Sequence, residues 1–237
     1  MAECDLMVLG AGAAGMLGAL AAHQRGLRVC LVDPHLEVAN NLAISGGLFP
    51  AAGSALQARA GVRDSPQTWL DDLRALAGDS VNEGIASSVA HALPEVMDFF
   101  TRQLKAPIEF LPDVVSPGHS QCRFHSTVPA GGASLHQSLR QLIAMRPGIV
   151  VCPRSVTPER RATGFVAVDG QRQLHAPHLM LAGGGFGANP EWVAQHIPAM
   201  RGALYNGAAH NDGSTMALGV DWGARLWGMD GFQGQGL

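Results

Sequence analysis

Two short apolar runs near the start of the chain define its first elements. Residues 6–9 read Leu-Met-Val-Leu, and a second run over residues 27–32 ends at Asp33. Both runs are nearly all apolar rather than alternating, which is typical of parallel strands covered on both faces. Residues 16–25 predict a helix with small side chains for close packing on the sheet, and Gly26 is a suitable residue to end it. The pattern therefore predicts a strand, a helix and a strand in succession.

The later pattern predicts a helical insertion, two more parallel strands and a small antiparallel meander. Helices are predicted over 67–76, 134–145, 191–196 and 213–220. Another is predicted to start at a capping box at 80–83, and Pro94 either kinks it or begins a third helix that ends near residue 103. Strands are predicted over 149–152 and 178–182, and residues 163–168 and 171–175 flank Asp169-Gly170, which is a strong hairpin signal. The sequence thus predicts an α/β fold with helices on both faces of a parallel sheet and no linker within residues 1–237.

Two stretches have neither helical nor strand periodicity. Residues 40–54 are apolar and small, so we expect a buried loop whose backbone polar groups need partners, which a ligand with many polar edges could supply. Residues 116–132 are predicted to be loop-like and contain His119, Arg123 and His125. These three side chains could form an acid/base cluster. Since no spaced carboxylate or cysteine set accompanies them, a metal site is not expected.

Composition narrows the classes of partner. Net charge is −3 without a basic run, so nucleic acid and anionic membrane surfaces are not expected partners. No apolar stretch approaches the roughly 20 residues of a membrane span, and the first strand begins too early for a signal peptide, so a cytoplasmic location is expected. The cysteines lack a C-x-x-C pair and are predicted to be buried reduced thiols; they are Cys4, Cys30, Cys122 and Cys152.

The turn between the first strand and the first helix carries a G-x-G-x-x-G pattern. Gly10 allows the tight turn, Gly12 lets the backbone approach a pyrophosphate, and Gly15 lets the helix pack on the strand. The phosphates would lie at the helix N-terminus, around Ala13 and Ala14, where free N–H groups and the helix dipole favour anions. This pattern predicts dinucleotide binding.

An acidic residue stands where the ribose of a dinucleotide needs an acceptor. Asp33 follows the second strand, 18 positions after Gly15. The alternative interpretation is a Gly/Ala-rich helix start without a ligand. The order of strand, glycines, helix, strand and acid favours the binding site.

Four separated blocks resemble the fumarate reductase/succinate dehydrogenase flavoprotein family, which includes 3-ketosteroid dehydrogenases, urocanate reductase and tricarballylate dehydrogenase. The blocks are residues 10–15, 40–47, 181–189 and 211–213. Residues 181–189 are similar to the family's L-A-T-G-G-F-G-x-N, with Gly183 in place of threonine. The resemblance covers essentially the whole chain and implies a Rossmann-like FAD-binding domain.

The resemblance implies a noncovalently bound FAD. Succinate dehydrogenases carry a flavin-linked histidine where this chain has Asn40, and asparagine cannot form that bond. Asp212 matches a family residue that contacts FAD, and it can equally act as a helix N-cap. The positions assigned to the cofactor are Gly10, Gly12, Ala13, Ala14, Gly15, Asp33, Asn40, Ser45, Gly46, Gly47, Gly184 and Asp212.

The implied activity is FAD-dependent oxidation or reduction of a CH–CH bond beside a carbonyl or carboxylate in a small-molecule substrate. The catalytic residues stay unassigned, because no residue matches the family's proton-donating arginine. Gln235-Gly236 stand where fumarate reductases have His-Pro, which puts a dicarboxylate substrate in doubt. We expect the N-terminal half of such an enzyme, incomplete at the C-terminus: a fragment, a truncated product, or part of a split enzyme whose second chain supplies the rest.

Two rival functions stay open. A flavin disulfide reductase or monooxygenase would need a redox cysteine pair or a second nucleotide fingerprint, and neither is visible. A non-catalytic dinucleotide-binding module would need only the first fingerprint.

Overall fold

The computed structural model describes residues 2–170 and 172–233. The strands are β1 (Ala2–Glu3), β2 (Leu6–Leu9), β3 (Val29–Val32), β4 (Phe49–Pro50), β5 (Ile108–Phe110), β6 (Phe124–Thr127), β7 (Ile149–Cys152), β8 (Glu159–Arg161), β9 (Gly164–Asp169), β10 (Arg172–Ala176) and β11 (His178–Leu181). The α-helices are α1 (Ala13–Gln24), α2 (Asn41–Ile44), α3 (Ala55–Arg59), α4 (Pro66–Ala77), α5 (Glu83–Asp98), α6 (Gly132–Ala144), α7 (Pro190–His196) and α8 (Ser214–Asp221). Short 3₁₀ turns lie at Gly78–Ser80 and Pro198–Met200, and a π-helical turn lies at Phe99–Gln103.

The chain forms two compact units. The first comprises residues up to Ile44 and from Leu139 onward, and the second comprises Ser45–Ser138. The first unit holds a parallel sheet in the order β11-β2-β3-β7. All four residues of β3 are buried, as expected for a strand covered on both faces. The predicted α/β fold with a parallel sheet is confirmed.

A second sheet of the first unit has the order β1-β10-β9-β8. β8, β9 and β10 pair antiparallel, with Asp169 opposite Arg172, so the predicted meander is confirmed; Gln171 of the predicted hairpin lies outside the described residues. Cys4, Cys30 and Cys152 are buried, as predicted, and they lie in the same apolar cluster. Cys122 is only half-buried, and all four cysteines are free thiols.

The second unit is the predicted helical insertion, together with a small sheet. α4 and α5 bury Trp69, Leu70 and Ala90 against Ala52, because these apolar residues recur at helical spacing. A three-stranded antiparallel sheet runs in the order β4-β6-β5.

Two expectations for loops were wrong. Within residues 40–54 a short helix and strand form, and Asn41, Ile44 and Leu48 are exposed, so the stretch is not a buried loop. Residues 116–132 contain β6, whose four residues are all buried. The polar sequence Phe-His-Ser-Thr is tolerated there because its side chains find internal partners; for example, Ser126 Oγ donates to the Gly47 carbonyl oxygen at 3.1 Å.

The predicted capping box at 80–83 was also wrong. Asn82 is the N-cap of α5, and its side chain accepts from the Ile85 N–H at 3.1 Å. The Glu83 carboxylate is held by Arg74, with Nε and Nη2 each 2.7 Å from one of its oxygens. The capping box in this unit joins Ser54 and Gln57 at the start of α3.

Candidate functional site

Two of the three fingerprint glycines are required by close packing around the turn. Gly10 has φ +103°, and a Cβ there would collide with the backbone of Ala182 after β11. A Cβ on Gly15 would collide with the Gly10 carbonyl oxygen and lie 3.3 Å from Val8 Cγ1, so its absence lets α1 pack on β2. These contacts explain why glycine is needed at positions 10 and 15 even when no ligand is bound.

Gly12 differs from its two neighbours. It is the N-cap of α1 with φ −74° and ψ −171°, extended backbone that any residue adopts. A Cβ there would meet nothing within 4 Å. No side chain caps α1 at this residue, and no acidic residue occupies the first helical turn. The fold therefore leaves open space beside uncapped helix N–H groups, where the dipole favours an anion.

The Asp33 carboxylate lies beside this turn. Its Oδ2 accepts from the Ala11 N–H at 2.6 Å, and its Oδ1 accepts from the His35 N–H at 2.7 Å. The side chain is largely buried. Sequence reasoning placed Asp33 near the fingerprint, but it missed that the carboxylate fixes the backbone of the turn itself.

Asn40 and Asn41 hold α2 through backbone contacts. Asn40 Nδ2 donates to the Ala11 carbonyl oxygen at 3.2 Å, and its Oδ1 accepts from the Ala43 N–H at 3.1 Å. Asn41 Oδ1 accepts from the Ala208 N–H at 2.7 Å. The start of α2 is therefore tied both to the fingerprint turn and to a segment 167 residues away along the sequence.

Tyr205 joins α2 to the segments predicted to contact the cofactor. Its hydroxyl lies 3.3 Å from Asn41 Nδ2 and accepts from Asn211 Nδ2 at 2.8 Å. Asn211 in turn packs against Gly184, leaving no room for a side chain there. Sequence reasoning missed Tyr205, and its status as the single tyrosine of the chain gives no positional signal.

Asp212 is not the N-cap of α8, contrary to the expectation from sequence. Gly213 occupies the N-cap position, with φ +84°. Asp212 Oδ1 accepts from the Ser214 N–H at 2.9 Å. That hydrogen bond holds the pKa of the Asp212 carboxyl below its ordinary value.

Ser45, Gly46 and Gly47 belong to the second unit. Ser45 Oγ accepts from the Gly47 N–H at 3.2 Å, and the Ser45 carbonyl accepts from the Gly132 N–H at 3.0 Å. Gly46 is exposed, and a Cβ there would meet only Leu48, at 3.8 Å. There is therefore space for a side chain at Gly46, whereas the backbone of the residue on each side of it is hydrogen-bonded.

The candidate acid/base cluster is a buried ion network. Arg123 is fully buried; its Nε lies 3.0 Å from Asp64 Oδ2 and its Nη1 2.7 Å from Asp72 Oδ2. Burial alone raises the pKa of Asp72, but hydrogen bonds from Ser120 and Arg123 outweigh it and lower the pKa. His119 Nδ1 lies 3.4 Å from Arg123 Nη1. Burial lowers the pKa of His119, and the positive charge of Arg123 lowers it further.

His125 and Ser54 form a buried hydrogen-bonded pair. His125 Nδ1 lies 3.0 Å from the Arg123 carbonyl oxygen and must donate to it, so Nε2 accepts from Ser54 Oγ at 2.7 Å. Burial lowers the pKa of His125, although its bonds to carbonyl oxygens oppose the shift. Neither side chain is exposed, so this pair stabilises the second unit rather than meeting a substrate.

Two features are absent from the described residues, namely a group of metal-ligating side chains and a membrane-spanning helix. In residues 2–170 and 172–233, no group of three or more His, Cys, Asp or Glu could hold a metal ion. No helix in the same ranges is long and apolar enough to cross a membrane.

Comparisons with known proteins identify the family of this chain. A family model described as "FAD binding domain" matches residues 5–234. A KsdD-like steroid dehydrogenase of Mycolicibacterium smegmatis is 29% identical over 95% of this chain and 49% of its own length. A probable fumarate reductase of Shewanella frigidimarina is 29% identical over 97% of this chain and 40% of its own length.

A solved structure shares the fold. The 3-ketosteroid Δ4-(5α)-dehydrogenase of Rhodococcus jostii matches with a TM-score of 0.80 at 21% identity, over 97% of this chain and 56% of that one. The chain thus spans about half the length, or less, of the curated relatives named above. It is an FAD-binding oxidoreductase homologue, and it belongs to the fumarate reductase/succinate dehydrogenase flavoprotein family.

Proposed function

We propose that the fingerprint turn holds the pyrophosphate of FAD against Gly12 and the first N–H groups of α1. The observation that carries this proposal is the open space beside Gly12. In the same turn, a side chain on Gly10 or Gly15 would collide with backbone atoms. Ala13 and Ala14 would bring their N–H groups to the phosphates without a competing side-chain cap. The donor chemistry and the open space therefore fit FAD.

Asp33 would accept hydrogen bonds from the adenosine ribose. Each of its oxygens accepts one backbone hydrogen bond, and a carboxylate oxygen has a second lone pair available. The Ala11 and His35 N–H groups would then orient the carboxylate toward the ribose hydroxyls. One side chain would position both the turn and the ligand.

The flavin end would be held by the remaining predicted residues. Asn40 has both ends of its amide engaged by backbone groups, so its role would be to fix α2, and the flavin would be bound without a covalent link. Gly184 and Asp212 of the first unit are proposed to lie along the cofactor, and support comes from the tie between Asn41 and Tyr205 in the same unit. Ser45, Gly46 and Gly47 stay predictions from the sequence.

The reaction we infer is oxidation or reduction of a CH–CH bond next to a carbonyl or carboxylate. Relatives are named for fumarate, acrylate, urocanate and 3-oxosteroids. These compounds share a carbon–carbon bond activated by a neighbouring carboxylate or ketone. Bound FAD supplies the two-electron chemistry, and the protein orients the substrate and tunes the cofactor.

Within these 237 residues, we infer that the contribution is cofactor binding. Arg123 and His125 are fully buried in the second unit, so neither offers a proton to a substrate. The relatives are about twice this length or more, so a large part of each has no counterpart in this chain. The burial of Arg123 and His125 equally favours the second candidate, a non-catalytic FAD-binding module or one half of a split enzyme.

Turnover assays test whether the catalytic residues lie within this chain. The chain is purified, saturated with FAD, and assayed with fumarate and urocanate plus a reduced dye, and with a 3-ketosteroid plus an oxidised dye. We expect stoichiometric flavin without turnover. A rate on the order of 1 per second or more would place the catalytic residues within this chain. Absence of bound flavin in the purified, FAD-saturated protein would contradict both candidates.

A further inference from the structure

A cavity in the second unit is lined by a cluster of cations. It has a volume of about 250 Å³ and is bounded by α3, the end of α5, the π-helical turn and the residue after Leu104. Arg59, Arg102 and Lys105 line it, and Asp98 is the one carboxylate among the described lining residues. Three cations against one carboxylate give the cavity a net charge of +2, in a chain whose net charge is −3.

Two of these cations are not neutralised by the protein. Arg102 pairs with Asp98, with Nε 3.4 Å from Oδ1. Across the described part of the chain, no acidic side chain forms an ion pair with Arg59 or Lys105. Both side chains belong to exposed residues, so the cavity presents uncompensated positive charge to solvent.

Lys105 adopts a backbone conformation that a lysine rarely takes. Its φ is +57°, and it is the one non-glycine residue with positive φ among the residues the structure describes. The flanking N–H groups turn back onto the helix, with Leu104 donating to Phe99 and Ala106 donating to Phe100, each at 2.9 Å. Glycine usually occupies such a helix-ending position because it has no Cβ.

Lys105 is also the single lysine of the 237 residues. A lysine in the left-handed region lowers stability relative to glycine, so the fold alone gives no reason for it. Its ammonium group lines the same cavity as the unpaired Arg59 guanidinium. The strained backbone and the cavity therefore point independently to the same side chain.

We propose that this cavity binds a small multivalent oxyanion, a phosphate ester or a polycarboxylate. Arg59 would bind the oxyanion through its planar guanidinium and Lys105 through its ammonium group, and the carbon skeleton would lie against Leu56 and Met97. The volume suits a metabolite smaller than a drug-sized ligand. All these residues belong to the second unit, so the proposal does not depend on FAD binding at Gly12, which belongs to the first unit.

Calorimetric titration of the FAD-saturated chain tests this proposal, with citrate and inorganic phosphate as probes at constant ionic strength. We expect saturable 1:1 binding of at least one probe. Lys105→Gly should weaken it at least about tenfold, because a charge-assisted hydrogen bond is lost. The same variant should leave Tm unchanged or raise it by up to about 4 °C, because backbone strain is relieved. Arg59→Gln should weaken binding similarly.

The control is Arg201→Gln, which removes the same charge from an exposed arginine that does not line the cavity. It should bind the probe as the wild type does. Binding of citrate alone would identify a polycarboxylate site, and binding of phosphate alone a phosphate-ester site. No saturable binding of either probe, or equal affinity in Lys105→Gly, Arg59→Gln and Arg201→Gln, would overturn the proposal. A lower Tm in Lys105→Gly would overturn the strain argument.

Discussion

The carboxylate of Asp33 accepts a hydrogen bond from the backbone N–H of Ala11, with Oδ2 2.6 Å from the nitrogen. Asp33 follows β3 and Ala11 lies in the glycine turn after β2, so the bond joins the ends of two neighbouring parallel strands. The residue proposed to bind ribose thus also fixes the turn proposed to bind pyrophosphate. A substitution at Asp33 should therefore affect stability and cofactor affinity together.

We predict that Asp33→Ala lowers the free energy of unfolding by about 1.5–3 kcal/mol, since two N–H groups lose a charged acceptor. FAD affinity should fall in the same variant. Asp33→Asn keeps one acceptor oxygen and should be intermediate in both measurements. Denaturant unfolding of the apo-protein and fluorescence titration with FAD separate the two effects. Unchanged apo-protein stability in Asp33→Ala would show that the Ala11 bond contributes little.

The flavin should be released completely by acid. The resemblance to succinate dehydrogenases places Asn40 at the position of their flavin-linked histidine, and the Asn40 amide is engaged by Ala11 and Ala43. The measurement is flavin fluorescence of the supernatant after acid precipitation, compared with a denaturing gel of the pellet. A fluorescent protein band in that gel would contradict the prediction.

The buried Arg123 ion network should be essential to the second unit. Arg123→Gln leaves Asp64 without its charged partner in a fully buried position, and breaking such a pair costs about 3–5 kcal/mol. Arg74→Gln is the matched control, because it removes two ion pairs, with Asp71 and Glu83, whose side chains are exposed, and it should cost about 1 kcal/mol or less. Equal midpoints of chemical unfolding in the two variants would contradict this account.

Stability should fall as the pH drops below about 6.5. Burial lowers the pKa of His125 from an ordinary value of 6.5. The folded state therefore keeps His125 neutral at a pH where the unfolded chain is already protonated. This contribution is fully present above pH 6.5 and is lost as pH falls through the lower folded pKa, at up to about 1.4 kcal/mol per pH unit.

An NMR titration of the wild-type imidazoles tests this directly. His125 should titrate below the ordinary histidine value of 6.5. His125→Gln should flatten the dependence of the unfolding free energy on pH in the range below about 6.5. A His125 pKa at or above 6.5 would contradict the argument.

Sequence patterns predicted the first unit well because its signals are local. An apolar run marks β7, which was predicted over the same residues, 149–152, that the structure assigns to it. The glycine pattern marks the turn before α1, and Asn189 caps α7 by accepting from the Glu191 N–H. Apolar parallel strands and helix caps each need only a few neighbouring residues to be recognised.

The second unit was harder because its polar residues are satisfied by distant partners. β6 carries His125 and Ser126 into a buried position, which hides the strand pattern. The sequence motif of a capping box occurs at both 54–57 and 80–83, but at the second position Arg74 binds Glu83 instead. In the first unit, the contact of Asn41 with Tyr205 likewise joins residues 164 apart and has no local signature.

The central claim is that FAD binds at the open side of Gly12, and flavin occupancy of Gly12→Val tests it most directly. Valine fits the extended backbone there and its Cβ would have nothing within 4 Å, so the fold should survive, but its side chain would fill the space proposed for the pyrophosphate. Gly84→Val, at an exposed glycine of α5, is the matched control. After both variants are saturated with FAD and desalted, we predict that flavin absorbance at about 450 nm is lost in Gly12→Val and retained in Gly84→Val. Both variants should keep the circular dichroism spectrum of the wild type. Stoichiometric FAD in a folded Gly12→Val would contradict the account.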